Sequence, residues 1–313
     1  PEPVAAPPAA TPSPGGGTAL VGVLGDPVRH SLSPAMHNAA LAELGLDWVY
    51  LALPTPAAAL ATVLQALEAL DCRGLNVTIP HKQAVAALVA ERSPLAERLG
   101  AVNTLVRRPQ GGWLGTNTDV EGFLAPLRPH PWQGLQALVL GCGGSARAVV
   151  AGLVELGLGR IVVAGRRPEA LAAFCRDCRP WAPQLEPLTW PADDDVTAAA
   201  ARDALHGILA GSQLLVNTTP VGMASSHDPQ ASCRSPLTAA SLTHLPARSW
   251  VYDLIYTPRP STLLQQAQAL GHQTVDGLEM LVQQGAAALR LWSGLEVVPV
   301  AAMRAAALRR LPR

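Results

Sequence analysis

The run QALVL (Gln136–Leu140) leads directly into GCGGSA (Gly141–Ala146), then into the Ala/Val/Leu-rich stretch Arg147–Leu156. A second apolar run, RIVVAG (Arg160–Gly165), follows it. A short continuous apolar run reads as a strand covered on both faces, and its neighbour after a helix reads as a parallel partner. The glycines between them match G-x-G-x-x-A, placed after a strand and opening a helix. In that context glycine backbone lets a pyrophosphate come close, and the helix N-terminus offers unpaired N–H groups with partial positive charge. A tight turn without a ligand is the bland alternative. The strand–turn–helix–strand setting favours a dinucleotide site built from Gly141, Cys142, Gly143, Gly144 and Ser145.

The end of the second strand discriminates between nucleotides. An NAD site usually carries Asp or Glu there, accepting from the ribose 2′-hydroxyl. This chain has Gly165-Arg166-Arg167. Two guanidiniums suit a 2′-phosphate, and no carboxylate repels it. Solvated surface arginines are the competing explanation, but the missing acid favours NADP.

Working outward, apolar strands alternate with Ala/Leu-rich helices along the chain, the pattern of an α/β protein. ALVGVLG (Ala19–Gly25), WVYLALP (Trp48–Pro54) and GLNVTIP (Gly74–Pro80) read as strands. A helix is expected after Ser33-Pro34, another over Ala57–Leu70, and another opening at His81–Leu88. AVNTLVRR and GGWLGTNTD read as strands joined by a turn at Gly111-Gly112. Beyond the glycine turn, QLLVNTTP (Gln213–Pro220), SWVYDLIY (Ser249–Tyr256) and HQTVDG (His272–Gly277) supply further strands, and Leu278–Leu311 reads as helix interrupted near Gly294–Pro299. Arg179–Ala201, rich in proline and with Asp193–Asp195, has no clear pattern. The first 17 residues, rich in Pro and Gly, read as a disordered tail.

Bulk properties exclude several classes. The 313 residues suit about two domains at ~150 residues each. Lys+Arg and Asp+Glu both number 23, so net charge gives no reason to expect nucleic acid or an anionic membrane as partner. No stretch reaches the ~18 unbroken apolar residues of a membrane span, and no secretory signal is visible at the start. Five cysteines make a poor disulfide framework and favour a reducing, cytoplasmic compartment. Cys175-x-x-Cys178 lacks a second pair, so no metal is expected.

Polar motifs crowd the N-terminal third. Read singly, Ser31-Leu32-Ser33-Pro34 is a helix cap, Asn76–Lys82 a strand with a surface lysine, Asn103 a turn residue and Asp119 another cap. Jointly and in order, HSLSP, NVTIPHK, GAVNTL, GTNTD, GCGGSAR, VNTTPVGM, YDLIY and DGLEMLVQQ resemble the shikimate dehydrogenase family, from about Val21 to Trp292.

The resemblance implies a specific site. Ser31 and Ser33 match the hydroxyls that hold the substrate carboxylate, and Thr78 matches a further substrate contact. Lys82 matches the catalytic lysine, with Asp119 its partner; Asn103 and Asp119 match residues at the ring hydroxyls. Tyr256 and Gln284 match later substrate contacts, Arg166 the 2′-phosphate arginine, and Leu254 and Gly277 positions near the nicotinamide. The family often has Asn-Arg-Thr after the second strand and another base a few positions on, near Ala170 here; Arg167 is expected to substitute. His81 is expected to diverge from Lys82 as its neighbour at a strand end.

The architecture so implied is a substrate-binding α/β domain over residues 18–118 and 277–313, and a Rossmann-type NADP-binding domain over 119–276, with the C-terminal helices returning to the first domain. The implied activity is reversible NADPH-dependent reduction of 3-dehydroshikimate to shikimate, in chorismate and aromatic amino acid biosynthesis. The implied partners are a small-molecule substrate, neither nucleic acid nor membrane, and at most a second copy (monomer or homodimer). Three alternatives differ in checkable ways: an NAD-using quinate/shikimate dehydrogenase, a folate-type dehydrogenase without the serine pair and MLVQQ, and a non-enzymatic NADP-binding module that would have lost the lysine or aspartate.

Overall fold

The computed structural model describes residues 14–190, 199–225 and 228–311. The chain divides into two compact units, one running to Thr118 and resuming at Val282–Leu311, the other spanning Asp119–Leu281.

The first unit holds β1 (Ala19–Gly25), α1 (Ser33–Leu44), β2 (Trp48–Pro54), α2 (Leu60–Ala69), β3 (Gly74–Val77), β4 (Glu91–Arg92), α3 (Pro94–Leu99), β5 (Thr104–Arg107) and β6 (Trp113–Thr116). Its sheet has the order β2-β1-β3-β5-β6-β4. β1, β2 and β3 are parallel, whereas β5 runs antiparallel to both β3 and β6. The short Gly111-Gly112 turn permits only a hairpin there, so this sheet is mixed. Leu60, Leu64 and Leu67 recur at helical spacing on α2 and join Leu75, Leu105 and Trp113 in one core.

The second unit contains α4 (Asp119–Leu124), β7 (Gln136–Leu140), α5 (Gly144–Glu155), β8 (Arg160–Gly165), α6 (Pro168–Cys178), β9 (Leu185–Thr189), α7 (Ala199–Ala210), β10 (Leu214–Asn217), α8 (Ala239–Leu242), β11 (Trp250–Asp253), α9 (Thr262–Ala269) and β12 (Gln273–Val275). The chain then enters α10 (Gly277–Ser293), inside which the two units divide, and ends with α11 (Val300–Arg310). All pairings in this second sheet are parallel, in the order β12-β11-β10-β7-β8-β9. The chain leaves β7 toward β8 and β9, then crosses back to β10. That reversal beside β7 is the doubly wound Rossmann order, which puts the ligand crevice at the carboxyl ends of β7 and its neighbours. β7, β8 and β10 are buried almost throughout, as strands covered by helices on both faces must be.

Three sequence expectations change. His81–Leu88 forms turns and one short 3-10 stretch, Val85–Ala87, instead of opening an α-helix. The N–H of Val102 bonds the Lys82 carbonyl, so that carbonyl serves a neighbouring segment rather than a helical turn. Arg179–Ala201 contains the edge strand β9, with residues 191–198 outside the described set. Residues 1–13 of the expected tail also lie outside it, but Gly15–Thr18 forms a closed turn, pinned by the Thr18 hydroxyl donating to Asp47 at 2.7 Å.

Candidate functional site

In the first unit the expected residues sit at the carboxyl ends of β1 and β3 and on the turns beside them. At the start of α1 the Ser33 N–H donates to Ser31 Oγ at 3.2 Å, so Ser31 takes one of the unpaired N–H groups of the helix entrance. Ser33 is buried and within hydrogen-bond reach of the Tyr50 hydroxyl. Thr78 follows β3: its N–H bonds the Leu24 carbonyl, and its methyl occupies the space a side chain at Gly25 would need. Lys82 is half-buried, four residues further on.

Asn103 is buried at the end of the segment that receives the Lys82 carbonyl. Its Oδ1 accepts from the Thr118 N–H at 2.7 Å and from the Thr104 hydroxyl at 2.9 Å, and its Nδ2 donates to Thr118 Oγ1 at 3.1 Å. This amide therefore clamps the residue immediately preceding Asp119. Lys82, Thr78 and Asn103 are joined by backbone bonds, since Val77 N–H also donates to the Asn103 carbonyl at 2.7 Å. Gln284 is buried on α10.

A polar layer that sequence reading missed supports these groups. The Tyr50 hydroxyl donates to Asn76 Oδ1 at 2.7 Å, and Asn76 Nδ2 reaches Thr104 Oγ1 at 3.3 Å. His37 stacks on Tyr50 and lies between the carbonyls of Ser33 and Gly285. Burial drives the Tyr50 phenol well above its ordinary value and pulls His37 down to about 4. Asn76 belongs to NVTIPHK and was open to discovery. Tyr50 and His37 carried no local signal. His81 is buried with Nε2 2.6 Å from the Thr55 carbonyl, a contact on a turn and not at the strand end that sequence suggested.

In the second unit Asp119 opens α4 and is buried. Gly141 ends β7 at φ +103°, a conformation L side chains rarely adopt, and a Cβ there would meet Thr218 Oγ1 at 2.6 Å. Gly143 is the N-cap of α5, with no side chain capping it, no acid in the first turn, and open space where a Cβ would stand. Gly144 and Ser145 begin the helix. An uncapped helix N-terminus with room above it fits a bridging phosphate, so the residues present suit a dinucleotide.

Beside this turn, Cys142 Sγ packs against Gly165 at the end of β8. Burial raises the Cys142 thiol, while the charges of Arg167 and Arg147 oppose the rise. Arg166 is exposed. Across the switch point, Leu254 follows β11, and Gly277 approaches it so closely that a Cβ would overlap the Leu254 carbonyl. Tyr256 is half-buried, and its phenol is raised by burial.

Asp253 and Asn217, also unanticipated, hold these two loops. Asn217 Nδ2 donates to Asp253 Oδ1 at 3.0 Å, and Asn217 Oδ1 accepts the N–H and hydroxyl of Thr219 at 3.0 and 2.7 Å. Asp253 Oδ2 takes the Ser261 hydroxyl at 2.5 Å. VNTTP and YDLIY contained both residues, but nothing in either motif announced the pairing. Cys175 and Cys178 are buried on α6 as free thiols.

Comparison with known proteins bears directly on this site. The family model "Shikimate dehydrogenase substrate binding domain" matches residues 23–105, and "Shikimate 5'-dehydrogenase C-terminal domain" matches 277–308. A shikimate dehydrogenase (NADP(+)) of Synechococcus sp. strain JA-3-3Ab is 49% identical over 297 residues, covering 95% of each chain. The shikimate 5-dehydrogenase of Thermus thermophilus, solved with NADP(H) and shikimate, superposes with TM-score 0.78 at 38% identity, over 94% of this chain and 100% of that one. The ligand-free 5-ketofructose reductase of Gluconobacter sp. strain CHM43 also superposes with TM-score 0.78, at 29% identity over 94% and 99%. Near-complete coverage at 49% identity leaves one assignment: the chain belongs to the shikimate dehydrogenase family.

Proposed function

We propose that this chain catalyses the reversible NADPH-dependent reduction of 3-dehydroshikimate to shikimate. The likeness over 95% of the chain to a relative named for that activity and cofactor carries the reading. The geometry of each unit supports it. Neutral hydroxyls and amides (Ser31, Ser33, Thr78, Asn103, Gln284) suit a small polyhydroxylated acid, because a ring hydroxyl left unmatched strands a buried polar group. Arg166 and Arg167, standing where an NAD site carries an acid, suit the 2′-phosphate. The substrate-binding unit is the one built from the first third of the chain and the C-terminal helices, and the Rossmann unit binds the cofactor.

When bound, the nicotinamide supplies the hydride, to the ketone carbon. The chain must supply the proton and hold the substrate. The Lys82 ammonium polarises the carbonyl and delivers its proton to the developing alkoxide; solvent restores the proton afterwards. Asp119 orients that ammonium and accepts from a ring hydroxyl. In the reverse direction the neutral Lys82 amine takes the alcohol proton.

Oxidation of NADPH, followed at its own absorbance, with 3-dehydroshikimate tests the reading. The same assay with 3-dehydroquinate and with NADH bounds specificity. No turnover with 3-dehydroshikimate in folded protein rejects the proposal. The likeness to 5-ketofructose reductase favours a second reading, reduction of another small polyhydroxylated ketone. Faster turnover with 5-ketofructose than with 3-dehydroshikimate selects it.

A further inference from the structure

Arg166 and Arg167 are adjacent in sequence, yet they serve different neighbours. The Arg167 charge acts on Cys142 in the glycine turn. Arg166 instead has its guanidinium carbon 5.7 Å from the centroid of the Trp190 ring. The two residues meet because β8 and β9 are parallel neighbours in register, with Gly165 opposite Thr189, so each stands one residue past the end of its strand. The Trp190 backbone N–H donates to the Gly165 carbonyl at 3.0 Å, which pins the Trp190 backbone beside the residue just before Arg166. The indole is only 7% exposed and belongs to a core cluster with Leu140, Val162, Ala164 and Leu205. A rigid ring held by the core thus presents its remaining surface to a solvent-facing cation. Among the described residues no carboxylate pairs with Arg166.

A flexible arginine loses rotamer freedom when it grips a phosphate, and a preset aromatic shelf reduces that loss while leaving the N–H edge of the guanidinium free. A carboxylate would preset the same arginine but compete with the phosphate for those N–H groups. We propose that Trp190 is a specificity-determining positioning residue: its indole holds Arg166 in the orientation that takes the 2′-phosphate of the cofactor. The inference rests on the NADP reading above, and it identifies what makes Arg166 effective for that phosphate.

Calorimetric titration of the full chain with adenosine 2′,5′-bisphosphate and with 5′-AMP tests it without turnover. Trp190→Leu retains an apolar side chain for the core and removes the shelf. It should weaken the bisphosphate by about fivefold and leave AMP unchanged. Trp190→Phe, which keeps an aromatic face, should recover most of the loss, and it serves if the leucine variant fails to fold. In an Arg166→Ala background Trp190→Leu should have no additional effect. Equal weakening of both nucleotides, or a Trp190 effect that persists without Arg166, would overturn the inference while leaving the NADP reading intact. Wild-type protein that binds the two nucleotides equally overturns both.

Discussion

His37 lies face to face with Tyr50, ring centroids 4.1 Å apart and planes 10° apart, while its two nitrogens face two carbonyls, Ser33 O at 2.9 Å and Gly285 O at 3.2 Å. One imidazole therefore joins the serine end of α1 to the α10 residue that follows Gln284. A neutral ring has one N–H and serves only one of those carbonyls as donor; the charged ring serves both but must survive complete burial. Burial wins, and the ring titrates near 4 rather than 6.5.

That depression has a definite sign. The unfolded chain takes up this proton as pH falls through 6.5, whereas the folded chain resists until about 4. The stabilisation is thus complete above 6.5 and is lost as pH falls toward 4, roughly 3 kcal/mol in all at about 1.4 kcal/mol per unit. His37→Gln removes the titration. Urea unfolding at pH 7, 6, 5 and 4 should show wild type losing its advantage over the variant as the solution is acidified. A gap that stays constant across that range refutes the buried neutral histidine.

Gly141→Ala concentrates two costs at one atom. The residue sits at φ +103°, and the new methyl would lie 2.6 Å from Thr218 Oγ1, itself tied to the Leu140 carbonyl at 2.7 Å. Either the glycine turn or the loop that follows β10 must move. The expected result is at least a tenfold rise in the NADP dissociation constant, about 1.4 kcal/mol, with a lowered melting temperature. Gly143→Ala is the control, because a methyl there meets nothing in the chain, and under the proposed function it would stand where the cofactor's phosphates are expected. It should weaken NADP without altering the melt. Normal NADP binding by both variants would separate this turn from the cofactor.

The proton-transfer proposal predicts different damage at its two residues. Lys82→Met removes the proton donor, and kcat should fall by about 10²–10⁴. Asp119→Asn keeps the shape and removes the charge that orients the ammonium, so kcat should fall less than in Lys82→Met. The double variant should be no worse than Lys82→Met alone, because the two act as a unit. Steady-state rates and NADP titrations on all three proteins check this. Independent, multiplying losses would separate the pair.

How far these features were readable depends on where their partners lie. β1, β2 and β8 have the bounds expected from sequence, because unbroken apolar runs mark them locally. β9 was hidden by proline, which ordinarily argues against a strand. Pro187 is tolerated because β9 is the edge of its sheet, where a missing donor costs little. The turn structure over His81–Leu88 depends on Val102 and Thr55, neither of which is a local neighbour. The polar support obeys the same rule: Tyr50 meets Asn76 across 26 residues, and His37 meets Gly285 across 248. Motif residues announce themselves by chemistry in order along the chain. The residues that position them become visible only when the chain has closed on itself.

Asp253 should behave oppositely to His37. Burial pushes its carboxyl up to about 6, despite donors from Ser261, the Ile255 N–H and Asn217. Because the folded value exceeds the unfolded 3.8, this group's contribution to stability is full below 3.8 and is lost as pH rises through 6, by up to about 3 kcal/mol. The ionised form is nevertheless the one best matched to three donors, so near neutrality the carboxylate gives up stability to hold Asn217, and through it Thr219, beside Gly141. Asp253→Asn cannot accept from all three donors and has no charge to titrate. Two measurements follow. In urea unfolding, wild type should lose ground to Asp253→Asn as pH is raised from 4 to 7. In steady-state assays at pH 7.5, the variant should show a severalfold higher KM for NADP with a smaller change in kcat, since the loops it loosens flank the glycine turn proposed to hold the cofactor. A variant that is equally destabilised at every pH, with an unaltered KM, would reduce Asp253 to a packing residue.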